Sequence, residues 1–592
     1  MEVQNPFQVN WDKLNISNFT DFFFSKIAVH GSHLAMVDID TGKQWRYSEI
    51  RGWCEMCATR LREIQVVNSS KVAIIAGTTG QTLFVQLACS LIGCLGVTIN
   101  GFSNVDDIWH LVDLSESTHL IVEAQFLQKA EDVRRKAQMR TGGRIKHIRI
   151  LDEVLSSETL LPENRKPNIK KEQSTHSLLI NNENEEKLAA VAISNQKEND
   201  NESGDFNSDG ALESDSLESS HKTFLIFFTS GTTSMPKPCE VTHKSVIINI
   251  QQMSFPLYGP TQPKERFLLP LALSHIFGTL SAYYALINGS VVYMLSKVTP
   301  KQLVDVFINQ QINVAHITTA MVHWLSNEEI VKNYQFSTLR SLIVGGAPVD
   351  SNRLQRVKEK LQLKDLRQTY GMTELGGLCT LLPYEADSLT SVGQPLPGML
   401  MKIVNWETKT ICQPRKPGQL LVIGPQVSPS YFKNQKATSE LLESNGYVRT
   451  GDAAYYDETG KIFIMDRIKD IIKYKGTLIC PSEVEQILRA HPAIDDCAVV
   501  GRQDHVSGEV PAAFVVRNAN FPQLSSAEVR QYVSGKIATF KELRGGVFFI
   551  PDIPRSVCGK LIRKQLRQFW DRERNNKEKE TVKTKPKEKL KK

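Results

Sequence analysis

Thr223-Phe-Leu-Ile-Phe-Phe-Thr-Ser-Gly-Thr-Thr-Ser-Met-Pro-Lys237 divides into two parts of opposite character. The first, Thr223–Phe228, is rich in aromatic and β-branched residues and reads as a strand. The second, Thr229–Lys237, carries small hydroxylated side chains and one glycine. Such a loop can curl so that backbone N–H groups and hydroxyls point inward, which is what the oxyanions of a polyphosphate need. Pro236 and Pro238 keep it from winding straight into a helix. A Walker A loop would require Gly-Lys-Ser/Thr opening a helix, and Pro236-Lys237-Pro238 stands in those places instead. Ser/Thr/Gly density alone also fits a polar surface loop; the complete string with its Pro-Lys is the specific part.

Outward from this stretch, short apolar runs (Val72–Ala76, Leu342–Val344, Val499–Val500) alternate with amphipathic segments such as the one bearing Leu354, Val357 and Leu361. Alternating β and α implies an α/β fold with parallel-rich sheets and helices on their faces. In such sheets ligands bind at the carboxyl ends of strands. Two further strings fall there. Gly345-Gly-Ala-Pro348 follows a strand and precedes a helix that Asp350 could cap; paired glycines there let a flat ring approach the backbone. Tyr370-Gly-Met-Thr-Glu374 follows the helix Ser351–Leu361 and a short strand ending near Tyr370. A right-handed crossover sets it beside the previous loop, where a carboxylate and a hydroxyl can hold Mg²⁺ and a phosphate oxygen together. Either string alone is a common turn; three loops on one sheet edge are not.

At 592 residues the chain exceeds what one core supports, so two or more domains are expected. Its 41% hydrophobic and 23% charged residues are ordinary for a globular protein. Net charge is +7, and residues 571–592 supply most of it with ten basic against five acidic side chains, so a nucleic-acid-binding body is excluded. This tail reads as solvated and disordered, with weak contact to an anionic membrane surface as the lesser reading. Residues 163–222 are polar; between Glu183 and Glu218 eleven acidic residues face two basic ones, so a disordered insertion that tolerates deletion is expected. Ten scattered cysteines make no disulfide scaffold, and the lone CxxC, Cys54–Cys57, reads as two half-buried helical thiols. The charge-free stretch Val72–Val105 is broken by Gly77–Gln81 and reads as strand, turn, helix, strand, not a membrane span. With no signal-like start and no Ser-Lys-Leu-type ending, a cytoplasmic monomer is expected.

Eight strings, in order, resemble the adenylate-forming superfamily of acyl-CoA synthetases, 4-coumarate–CoA ligases, beetle luciferases and peptide-synthetase adenylation domains. They are 229–237, Leu273-Ser-His-Ile-Phe-Gly278, Gly345–Pro348, Tyr370–Glu374, Arg449-Thr-Gly-Asp452, Asp466–Gly476, Pro481-Ser-Glu-Val-Glu485 and Pro554-Arg-Ser-Val-Cys-Gly-Lys560. The resemblance covers about residues 35 to 568 outside the insertion and lies nearest the ligase and luciferase branch. It implies a large N-terminal adenylation domain of several subdomains, 1–466, and a small mobile α+β domain, 467–568, hinged near Lys469. It also implies ATP, Mg²⁺ and coenzyme A as partners in two half-reactions, acyl-adenylate formation and thioester formation.

Residue by residue, the resemblance puts Thr229, Ser230, Gly231, Thr232, Thr233 and Lys237 on the β- and γ-phosphates. Thr373 falls on the α-phosphate and Glu374 on Mg²⁺. Gly345, Gly346, Ala347, Pro348, Tyr370 and Gly371 surround adenine, and Asp452 and Arg467 hold the ribose. His275 closes over the carboxylate pocket, and Lys560 bridges the carboxylate and the α-phosphate. Lys473, Lys475 and Gly476 face the thiol tunnel. The bland counterparts are a turn Asp452, a surface-paired Arg467 and a packed core His275. Three positions depart from the family pattern. Ser234 stands for Gly, costing about 1–2 kcal/mol if φ must be positive there; Gln419 stands for Glu, and Ser430 for Gly. Val314, Ile317, Ile343 and Val344 point to an apolar acid, fatty or aromatic. The leading function is a carboxylate–CoA ligase. Transfer to a carrier-protein thiol, luciferase-like oxidation and a weakly catalytic nucleotide- or acyl-binding scaffold are the alternatives.

Overall fold

The computed structural model describes residues 2–5, 7, 9, 11, 18–156, 222–229, 236–326, 328–349, 351–555 and 561–570. The acidic insertion (Lys222 excepted), the basic tail and Asp350 lie outside them.

Two parallel-rich sheets build most of the large lobe. In the first, Lys71–Ala76, Leu95–Asn100, His119–Val122 and His147–Ile150 run parallel and join β1 (Thr223–Thr229). Val72–Ala76 is apolar and buried throughout, as a strand covered on both faces must be. The charge-free stretch resolves into this strand, the helix Gly80–Ile92 ended by a left-handed Gly93 (φ 78°), and a second strand. No helix among the described residues is long and apolar enough to cross a membrane. Cys54 and Cys57 sit fully buried on the helix Tyr47–Glu63. β1 folds back on β2 (Lys237–Thr242) in antiparallel register from Thr229↔Lys237, so the two ends of the hydroxyl-rich string lie opposite each other. Ser430–Tyr431 pairs with the outer edge of β2.

The second sheet contains β3 (Arg266–Leu269), β4 (Val314–Thr318), β5 (Ser341–Gly345) and β6 (Asp365–Gln368), all parallel, with His316↔Ile343 and Thr318↔Gly345 in register. α1 (Ile276–Ile287) packs on one face and α2 (Ser351–Lys360) on the other. Alternation along β4 and β5 sends Val314 and Ile343 toward α1 but Ile317 and Val344 toward α2. Val314 and Ile343 thus share one face and Ile317 and Val344 the other, so the four residues read as pointing to an apolar acid do not line one pocket. The short strand expected near Tyr370 ends at Gln368, and Tyr370–Met372 belongs to a separate antiparallel sheet.

β7 (Val448–Tyr456) and β8 (Ile462–Arg467) complete an antiparallel sheet with Leu400–Val404 and Gly418–Ile423. Beyond Arg467 a mixed sheet packs on α3 (Pro481–Arg489) and the helix Ser526–Ser534. Its core of Ile472, Val484, Leu488, Val499 and Val515 is distinct from those of the large lobe. Polar contacts cross the junction: Asp466 accepts the Ser482 N–H at 2.9 Å, and Arg563 reaches Asp466 at 3.6 Å and Glu485 at 2.6 Å. Burial pushes the Asp466 carboxyl up to about 6 against the opposing pull of Arg563.

Candidate active site at the strand ends

β1 and β2 hold Thr229 and Lys237 opposite each other at the end where the two strands are connected. Ser230, Gly231, Thr232, Thr233 and Ser234 lie outside the described residues. Lys237 Nζ sits 4.9 Å from the Tyr431 ring centre, and the Tyr431 hydroxyl donates to Glu374 Oε1 at 2.8 Å. Burial and the Glu374 carboxylate push the Tyr431 phenol up, while the Thr229 hydroxyl opposes the shift. Thr229, Lys237 and Glu374 therefore meet around one aromatic side chain that the sequence reading passed over. Glu374 and its neighbour Thr373 form a short, buried 3₁₀ turn. Ser430 has a local explanation: its hydroxyl donates to Glu240 Oε2 at 2.6 Å, and Thr223 donates to the other oxygen at 3.1 Å.

A second group forms across β7 and β8. Asp452 and Arg467 are register partners on neighbouring antiparallel strands, which sets their side chains on one face. Arg467 Nε lies 2.7 Å from Asp452 Oδ1, and the Tyr370 hydroxyl donates to Oδ2 at 2.6 Å. Burial, then Asp452, pushes the Tyr370 phenol up. Gly371 tolerates no side chain, since a Cβ would stand 2.2 Å from the Gly377 carbonyl oxygen. Gly345 closes β5 with the Phe277 ring 2.9 Å from where its Cβ would be; Gly346 (φ 104°) has nothing within 4 Å on that side and presents open backbone beside Ala347 and Pro348. His275 caps α1, its Nδ1 accepting the Phe277 N–H at 3.3 Å.

Lys469 lies in the 3₁₀ turn Ile468–Asp470, between β8 and the strand Ile472–Tyr474 of the small lobe. Burial, then Arg467, pulls its ammonium down. A cleft of ≈ 870 Å³ opens there, lined by Trp406, Arg449 and Lys469 and, from the small lobe, by Lys473, Gln503 and Glu509. Lys473 ends in a hairpin whose turn holds Lys475 (φ 46°) and Gly476 (φ 78°). Lys560 lies outside the described residues. The residues flanking its segment, Arg555 and Leu561, pair with each other, and Arg555 binds Asp496 at 2.7 Å.

The sequence model of the AMP-binding enzymes matches residues 23–432, and that of the AMP-binding enzyme C-terminal domain matches 483–560. The chain belongs to the AMP-binding enzyme family. A protein named "Probable 4-coumarate–CoA ligase 1" from Dictyostelium discoideum is 34% identical over 349 residues, 59% of this chain and 63% of that one. A luciferin 4-monooxygenase of Nipponoluciola cruciata is 32% identical over 346 residues, 58% and 63% of the two chains. The aligned part of this AMP-binding enzyme thus spans 63% of the length of these curated relatives. Among solved structures, ATP-bound MatB from Rhodopseudomonas palustris superposes with a TM-score of 0.75 over 93% of this chain and 99% of its own, at 19% identity, a likeness of fold.

Two features of this AMP-binding enzyme left no trace that spacing could reveal. Tyr431 stands on a two-residue edge strand with no periodicity to flag it. Phe277 lay within a quoted string, yet only the coordinates show its ring reaching Gly345.

Proposed function

We propose that the enzyme is an ATP-dependent carboxylate–CoA ligase. It would join an apolar carboxylic acid to AMP, release pyrophosphate, and pass the acyl group to coenzyme A. The observation that carries this reading is that Thr229, Lys237 and Glu374 gather around Tyr431, while Tyr370, four residues before Glu374, joins Asp452 and Arg467.

The residues fit Mg²⁺. Glu374 has one oxygen held by Tyr431 and the other without a hydrogen bond among the described residues. No cluster of three or more ligand-type side chains occurs among the described residues, so the protein alone forms no cage. That suits an ion that takes one or two carboxylates and fills its shell with phosphate oxygens and water. Bound there, Mg²⁺ would offset phosphate charge.

Two anions must meet in the first half-reaction, so orientation and charge dominate its barrier. Thr229–Lys237, with Ser230, Gly231, Thr232 and Thr233, would hold the β- and γ-phosphates, and Thr373 the α-phosphate. Asp452, its charge balanced by Arg467, would accept ribose hydroxyls, and Gly345–Pro348 with Tyr370 and Gly371 would enclose adenine. His275, its ring held by the capping bond to Phe277, would close over the acid. Lys560 would steady the charge moving onto pyrophosphate, then leave as the small lobe turns about Lys469 and brings Lys473, Lys475 and Gly476 to the thiol. The luciferase likeness favours one second reading, oxidation of the adenylate by the same machinery.

Carboxylate-dependent exchange of labelled pyrophosphate into ATP tests the proposal. Exchange together with CoA thioester formation is expected. Exchange without thioester supports the oxidation reading or a carrier-protein acceptor, and absence of exchange across a broad acid panel overturns all three.

A further inference from the structure

Resting on the ligase reading, we propose that His316 is a specificity-determining residue, whose Nε2 hydrogen-bonds a neutral polar group, a hydroxyl, at the end of the acid remote from its carboxylate. The placement comes from register. Thr318 and Gly345 pair at the strand ends where the carboxylate would meet ATP, and His316 and Ile343 pair two residues deeper on the same face, roughly 7 Å below. Phe277 spans that depth: its ring lies against Gly345 at one end and stacks on the His316 imidazole at the other, centroids 5.6 Å apart and planes at 10°. The Phe277 ring occupies that depth, so an acid running down from the strand ends between α1 and the sheet reaches His316 with its far end once that ring turns aside.

The chemistry comes from what His316 lacks. It is fully buried; Nδ1 lies 2.7 Å from the Ser281 hydroxyl, and Nε2 has no hydrogen-bond partner among the described residues. Buried polar atoms are nearly always paired, so an orphaned ring nitrogen asks for a partner from outside the fold. Aromatic rings surround it, Tyr284 stacked at 5.6 Å and Phe267 edge-on at 4.9 Å, and the Tyr284 hydroxyl is spent on the Thr261 N–H. Burial and the Arg367 charge hold the imidazole down to about 3, so it is neutral in ordinary buffers. Arg367 is itself saturated by Asp365, the Leu382 carbonyl and the Tyr258 carbonyl. A charged group on the acid would find no counter-charge here. A hydroxyl donates or accepts, and so suits either tautomer of the ring.

The test compares matched acids in the exchange assay: octanoic with 8-hydroxyoctanoic acid, and 3-phenylpropanoic with 3-(4-hydroxyphenyl)propanoic acid. The wild-type enzyme is expected to favour the hydroxylated member of at least one pair by about tenfold or more in kcat/KM. His316→Leu should bring that ratio to about one, and His316→Gln, which keeps a hydrogen-bonding group, should restore part of it. Should the leucine variant not fold, the wild-type ratio and the glutamine variant decide. A wild-type ratio near one in both pairs means a buried water satisfies Nε2 and overturns the inference alone, as does a preference that survives in His316→Leu. Exchange with none of the four acids, nor with any other, overturns the ligase reading and this inference with it.

Discussion

Glu374 and Asp452 are both buried carboxylates on the nucleotide side, yet their surroundings differ in kind. Glu374, 8% exposed, receives one neutral phenol from Tyr431 and has no cation within ion-pair distance among the described residues. Asp452, 5% exposed, receives a phenol from Tyr370 and a guanidinium from Arg467. A buried charge without a counter-charge is costly. On the proposed function a cation from solution would complete Glu374, whereas Asp452, paired with Arg467, would accept uncharged hydroxyls. One guanidinium thus separates two similar side chains that are buried alike.

The largest expected effect tests whether a third, mobile charge completes this division. Lys560→Ala should lower carboxylate-dependent exchange by about 10³-fold, while thioester formation from a supplied acyl-adenylate stays near the parental rate. Equal loss in both steps would break the division between half-reactions. Next, Glu374→Gln should cut exchange by about 10²-fold and raise the Mg²⁺ concentration for half-maximal rate. Asp452→Asn should instead raise the KM for ATP and leave the Mg²⁺ dependence in place. If both substitutions move the Mg²⁺ curve equally, the contrast between the two carboxylates is wrong. Smallest, Tyr370→Phe removes one hydrogen bond to a carboxylate, worth about 1.5 kcal/mol, and should raise the KM for ATP about tenfold without affecting Mg²⁺; a shift in metal dependence would blur the contrast.

Much of this arrangement was legible in the chain because its chemistry is local. Thr229 and Lys237, Gly345 and Gly346, and Thr373 and Glu374 are each near neighbours in sequence and each stands at a strand end; the expectation of one sheet edge is corrected, since the three strands belong to three different sheets. Asp452 and Arg467, expected together on the ribose, come from two separate strings, and antiparallel register makes them partners. What stayed hidden depends on phase. β4 and β5 are covered on both faces, so Val-Ala-His-Ile-Thr and Ser-Leu-Ile-Val-Gly show no polar alternation to tell one face from the other. That is why Ile317 and Val344 were counted with Val314 and Ile343, and why His316 drew no attention. Tyr431 was hidden for a different reason: its role comes from an edge pairing almost two hundred residues away in the chain, at Cys239.

Arg467 is the last residue of its strand, and Lys469 follows two positions on. With the pivot proposed at Lys469, the guanidinium sits almost on the fulcrum. A rotation there sweeps the outer edge of the small lobe through a wide arc yet barely displaces what lies beside the axle. On the proposed function the AMP ester would stay moored by its sugar while the machinery around its acyl end is exchanged, and no rebinding would separate the two chemical events.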